Sequence, residues 1–114
     1  MDKELMKKWI EALRSGKYQQ GMRRLKTHDN KFCCLGVLCD ISETGKWKVS
    51  SFGENSFVDD SYGDTNVYMP PFEALTKVGL DYEDASELAT KNDTQEHTFE
   101  EIAEILECIL FFEE

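Results

Sequence analysis

The sequence is poor in proline and histidine, with two of each in 114 residues, and it has no apolar run near the ~20 residues that a membrane span needs. Scarce proline, with 40% apolar and 32% charged residues, excludes a proline-rich spacer or a disordered tail and describes an ordinary folded chain. Imidazole chemistry has only His28 and His97 to draw on. Phosphate-binding glycine motifs and serine nucleophile elbows are missing, so no motif supports an enzyme, and a hydrolase using Asp or His residues stands only as an alternative to a binding role. The start, Met1-Asp2-Lys3-Glu4, runs into an amphipathic pattern with no signal-peptide core, and the chain is expected to work in the cytosol of the cell that makes it.

Basic residues are nearly absent from the second half. Residues 1–57 carry 11 Lys and Arg against 7 Asp and Glu, a net of +4, whereas residues 58–114 carry 2 against 16, a net of −14. General nucleic-acid binding needs a continuous basic surface, which this balance argues against, although a local phosphate pocket remains open to the first half. The two halves can equally face each other within one fold. Acidic pairs such as Asp59-Asp60 or Asp81 with Asp84 have no spacing peculiar to glycosidases or phosphoryl transfer.

What the sequence does hold is a cysteine-rich apolar run. Residues 31–40 read KFCCLGVLCD, with Cys33, Cys34 and Cys39 among Phe32, Leu35, Val37 and Leu38. Zinc knuckles need ligand pairs two to four residues apart on separate turns, and adjacent thiols with His28 match none of them. A nucleophilic or redox thiol needs a neighbouring base and some exposure. Core packing is the reading adopted, since free cysteine behaves as a small buried hydrophobe. Neither metal nor cofactor is expected.

Periodicity organises the rest. Residues 3–14 place Leu5, Met6, Trp9, Ile10 and Leu13 on one helical face, with Gly16 as a stop. Leu25 and Phe32, joined by His28-Asp29-Asn30, suggest a hairpin. Cys34, Val37, Leu38 and Ile41 share a helical face ending near Gly45, with a buried strand as the competing reading. Gly36 in its middle is best tolerated where another backbone packs closely. KWKV, SFVD and NVYM within 46–69 read as strands, separated by turns that include Tyr62 and Asp64, or as a partly ordered insertion. Pro70-Pro71 opens a helix with Phe72, Leu75 and Val78 inward, and Gly79-Leu80 fits a Schellman ending. Asp84 with Glu87 suggests another helix start, ended by Asn92-Asp93, and Thr98 with Glu101 a third. The last helix carries Phe99, Ile102, Ala103, Leu106, Ile109 and Leu110 on one side. Together these predict one α+β domain, residues 1–114: N- and C-terminal amphipathic helices packed with a buried central helix and a small antiparallel sheet.

Two candidate sites emerge. Around RSGKYQQGMRRLK, Lys17, Tyr18, Gln20, Arg23 and Arg24 offer charge, a stacking ring and a polar reader for an anionic, nucleotide-like small molecule, with Asn92 and Asp93 to orient it. Solvated or internally paired side chains would produce the same composition. The other candidate is the acidic face of the last helix, Glu100, Glu104 and Glu107, which could mask a basic surface on another protein. Terminal Phe111 and Phe112 beside Glu113-Glu114 suggest a homodimer.

The order of KWIEALRSGKYQQG, LKT, FCCLGVLCD, MPP, VGL, KND and TFEEIAEIL resembles a family of small bacteriophage proteins mostly described as hypothetical. The resemblance spans nearly the whole chain and departs from the family pattern at Met69 and in the longer NDTQEHTF gap. It implies an accessory phage protein in the host cytoplasm, acting by binding in counter-defence, and supplies no reaction.

Overall fold

The computed structural model describes residues 1–61, 63, 65–94 and 97–113, the last for its backbone alone. The turn expected through Tyr62 and Asp64, the Gln95-Glu96 part of the long gap, and Glu114 lie outside the described residues.

Helix α1, Lys3–Arg14, starts where the Asp2 carboxylate accepts from the Leu5 amide at 3.0 Å, and it buries Leu5, Met6, Trp9, Ile10 and Leu13. The central helix α2, Cys34–Ser42, is apolar almost all round and lies against it. Trp9 donates its indole N–H to the Cys34 carbonyl at 2.9 Å, a buried bond that fixes the crossing. Gly36 has the predicted close neighbour: a Cβ there would collide with the Leu25 carbonyl. The stop is not Gly45 but Glu43, at φ 60°. Gly45 serves the sheet instead, because a Cβ at that position would strike the Val58 carbonyl across the strand pair.

Strands β1 (Gly45–Val49), β2 (Asn55–Asp59) and β3 (Thr65–Asn66) form an antiparallel sheet in that order, with Trp47 opposite Phe57. The third strand is shorter than NVYM because the Val67 carbonyl accepts from the Leu25 amide instead. The expected hairpin before α2 forms as a minimal one, with Lys26 paired antiparallel to Phe32 and the Cys33 and Thr27 amides donating to the Leu25 and Lys31 carbonyls around His28-Asp29-Asn30. It goes no further because Phe32 bonds outward to Gln19 and Gly21 and the Leu25 amide donates to Val67.

Helix α3, Phe72–Lys77, closes as expected, with Gly79 at φ 73° and the Leu80 amide donating to the Leu75 carbonyl at 3.0 Å. Leu75 and Val78 are buried, but Phe72, expected inward, is 62% exposed. As the first residue of a short helix it turns out of the core, beside Tyr82. Helix α4, Tyr82–Asp93, begins three residues earlier than expected, because Asp81 and Asp84 cap each other's amides. In α5, Phe99–Glu113, the Thr98-Glu101 box forms as predicted, and Phe99, Ile102, Ala103 and Leu106 are buried, with α1 as the main partner. The architecture is α+β, with helices enclosing one core and the small sheet on its flank. Among the described residues, no helix is long and apolar enough to cross a membrane.

Gly36→Ala should lower unfolding stability by about 1–3 kcal/mol in urea titrations, since the new methyl must push two backbones apart. A variant as stable as the parent would show that the α2–Leu25 contact yields freely.

Candidate functional site

The seven residues expected to hold an anion divide between separate places. Lys17 and Tyr18 line a cleft of about 280 Å³ with Lys8, Glu11 and Ile41. Tyr18 is edge-on to Phe32, with ring centroids 5.0 Å apart, and donates its hydroxyl to Asp40 at 2.5 Å. Burial first, and then that bond, push the phenol up to about 12. Asp40 also accepts from the Trp47 indole at 2.9 Å, and the Lys26 ammonium sits 5.4 and 5.2 Å over the Phe32 and Trp47 rings. The Tyr18 ring is therefore held in an internal ladder that continues to Phe57.

Gln20, Arg23, Asn92 and Asp93 do meet, around one fully buried amide. Asn92 Oδ1 accepts from Gln20 Nε2 at 3.0 Å and from the Cys34 amide at 3.2 Å. Its Nδ2 donates to the Gly21 carbonyl at 2.8 Å and to Asp93 Oδ1 at 3.2 Å. Gln20 further donates to the His97 carbonyl and accepts from the Phe99 amide, at 3.0 and 3.1 Å. Asp93 accepts from the Arg23 backbone amide at 2.7 Å, holding that residue at φ 70°. Asn92 thus uses all four of its hydrogen-bonding positions within the chain. Arg24 points elsewhere: its Nη1 lies 2.8 Å from Glu54, an ion pair whose angle does not suit a hydrogen bond, and its guanidinium covers Tyr68.

Of the acidic candidates, Glu100 and Glu107 both engage Arg14, at 3.1 and 2.6 Å. The bond to Glu107, and then Glu100, hold the guanidinium above its usual range, and the same bond holds the Glu107 carboxyl low. Glu104 is exposed and makes no ion pair among the described residues.

The central thiols are sealed. Cys33, Cys34 and Cys39 are at most 3% exposed, and burial pushes Cys33 up to about 12 and the other two well above the ordinary thiol range. Cys33 caps α2, its sulfur accepting from the Gly36 amide at 3.3 Å. Among the described residues no group of three or more His, Cys, Asp or Glu is placed to hold a metal ion.

Residues 1–110 match the family described as Domain of unknown function (DUF8296). The chain belongs to this family. No curated protein and no solved structure matches it. The family match runs from α1 through most of α5, so it takes in the whole architecture, the Asn92 hub included.

A further feature had no signal in the sequence. Between the end of β2 and the starts of α3 and α4 lies an open cavity of about 620 Å³, lined by Asp59, Ser61, Asn66, Phe72, Glu73 and Tyr82 among others. Phe72 has the spacing of a core residue in the helical pattern, and Tyr82 belongs to no pattern at all. Only the meeting of three separate segments reveals them as neighbours.

Asn92→Ala should cost at least about 3 kcal/mol of unfolding stability, because it strands the Cys34 amide and the Gly21 carbonyl in the interior. Urea titration would measure this; a loss below about 1 kcal/mol would mean that water replaces the amide. Thiol labelling of the native protein, followed by mass spectrometry, should modify exposed Cys108 first and leave Cys33, Cys34 and Cys39 protected until unfolding.

Proposed function

We propose that this protein is a non-catalytic binding protein that lays the acidic face of α4 and α5 on a basic surface of another protein. The carrying observation is an excess of unpaired carboxylate. In residues 58–114 the basic residues are Lys77 and Lys91, and the ion pairs reaching this half among the described residues are those of Arg14 with Glu100 and Glu107. Glu83, Asp84 and Glu87 on α4 and Glu104 on α5 stand exposed, with Lys91 beside Glu83 and Glu87. An acidic half so little neutralised repels itself, and a basic partner relieves that repulsion while steering the encounter.

The resemblance to small bacteriophage proteins adds a setting for this reading: an accessory protein in the host cytoplasm that masks a host protein, as in counter-defence. Capture of a nucleotide-like anion is less well supported by the geometry. The cavities beside Lys17, Gln20 and Arg24 are about 280, 270 and 200 Å³, under the ~300 Å³ of a small-molecule pocket, and Tyr18, Gln20 and Asn92 among their polar groups are engaged internally.

Affinity purification from host extract, with the bound protein identified by mass spectrometry, should recover a basic partner. Its retention should fall steeply between about 0.1 and 1 M salt, over which the screening length shrinks from ~10 to ~3 Å. Replacing Glu83, Glu87 and Glu104 together by Gln should weaken it as well, while Glu100 and Glu107 are left to hold Arg14. Binding indifferent to salt and to these substitutions would remove the electrostatic basis.

A further inference from the structure

The cavity at the sheet-to-helix junction has the chemistry of a cation receptor. Asp59 ends β2, is only 5% exposed, and has its Oδ1 fixed by the Ser61 amide at 2.6 Å. Ser61 donates its hydroxyl to Glu73 Oε2 at 2.9 Å, so the same residue orients both carboxylates of the lining. Phe72 and Tyr82 stand at the rim, 62% and 51% exposed, with ring centroids 6.2 Å apart and planes inclined by 33°. No Lys, Arg or His is among the described lining residues.

These features select among occupants. Two carboxylates repel phosphate or another carboxylate. A purely apolar group would cover the rings but strip water from Glu73 with nothing in return. A cation satisfies rings and carboxylate together, since the ring faces carry negative charge and Glu73 accepts its protons. Guanidinium fits better than ammonium, because it is flat enough to stack on a ring while its forked N–H groups reach a carboxylate, and it is less strongly hydrated.

We propose that this groove receives an arginine side chain of the partner protein, anchoring an encounter that the wider acidic face guides. The assignment rests on the reading of a basic protein partner and names its point of specific contact. Phe72, Glu73 and Tyr82 then make the cationic contact, with Ser61 as a positioning residue.

The test titrates N-acetyl-arginine amide into the intact protein and follows backbone amides by NMR. Saturable shifts confined to Ser61, Phe72, Glu73 and Tyr82 are expected. Glu73→Gln should weaken the probe about tenfold, the effect of losing one charge-assisted hydrogen bond. Phe72→Ala should weaken it too, and Tyr82→Phe, which keeps the ring, should not. All three positions are at the surface, so the variants should fold, which their amide spectra would verify. Absence of groove shifts, or equal shifts from the neutral citrulline or phenylalanine amides, would overturn the assignment. The two readings fail separately: a salt-sensitive partner held equally well by Phe72→Ala and Glu73→Gln sinks the groove and leaves the acidic face standing. Probe binding in the groove without any salt-sensitive partner supports the cation site and sinks the wider docking face.

Discussion

The buried amide of Asn92 is the constraint on which the arrangement depends. It sits at the end of α4 and bonds at once to the loop before α2, to the first turn of α2, and to its neighbour Asp93. A side chain with two donors and two acceptors can be buried without penalty only when all four are met, and here two are met by the loop at Gln20 and Gly21, one by α2 and one by Asp93. The irregular stretch from Gln20 to Arg24, which belongs to no helix or ladder, is thereby held as firmly as the elements around it. Gln20 extends the same network to the Phe99 amide, supplying an acceptor where α5 begins. Polar residues that look like ligand readers in a linear chain are here the means by which its loops are closed.

That duality explains what the sequence could and could not disclose. Helices α1 and α5 were legible almost to the residue, since apolar spacing and the Thr98-Glu101 box are local signals that tertiary structure had no reason to override. Gly36 was legible as a close approach, though not its partner Leu25. The stop of α2 was misplaced because Gly45 answers to a strand neighbour that lies 13 residues on at Val58, while Glu43 accepts the left-handed conformation. The start of α4 was misplaced because Asp81 and Glu87 compete for the same partner, Asp84, and pattern alone does not choose. Phe72 is the sharpest case. Its spacing from Leu75 is that of a core residue, yet the first turn of a short helix can face either way, and the packing of Ala74 and Leu75 decides.

Charge is divided along the chain, and folding neutralises that division only in part. The halves pack closely but share few ion pairs among the described residues: Arg14 serves two glutamates, Arg24 pairs with Glu54 inside its own half, and Lys26 lies over aromatic rings instead of an acid. The fold therefore does not neutralise its acidic half. Its stability comes from the apolar interior, where Trp9, Phe57, Leu35, Leu38, Ile102 and Leu106 are fully covered. The surface charge is left facing solvent.

The packing of α1 on α5 joins the two ends of the sequence. Segments so far apart along the chain must close a long loop before their contact returns any energy, so the side of α1 that faces α5 stays wet until the later helix has formed. Assembly of this seam is consequently a late and cooperative event, and any form in which α5 has come away would present an oily stripe to every chaperone and protease in the cell.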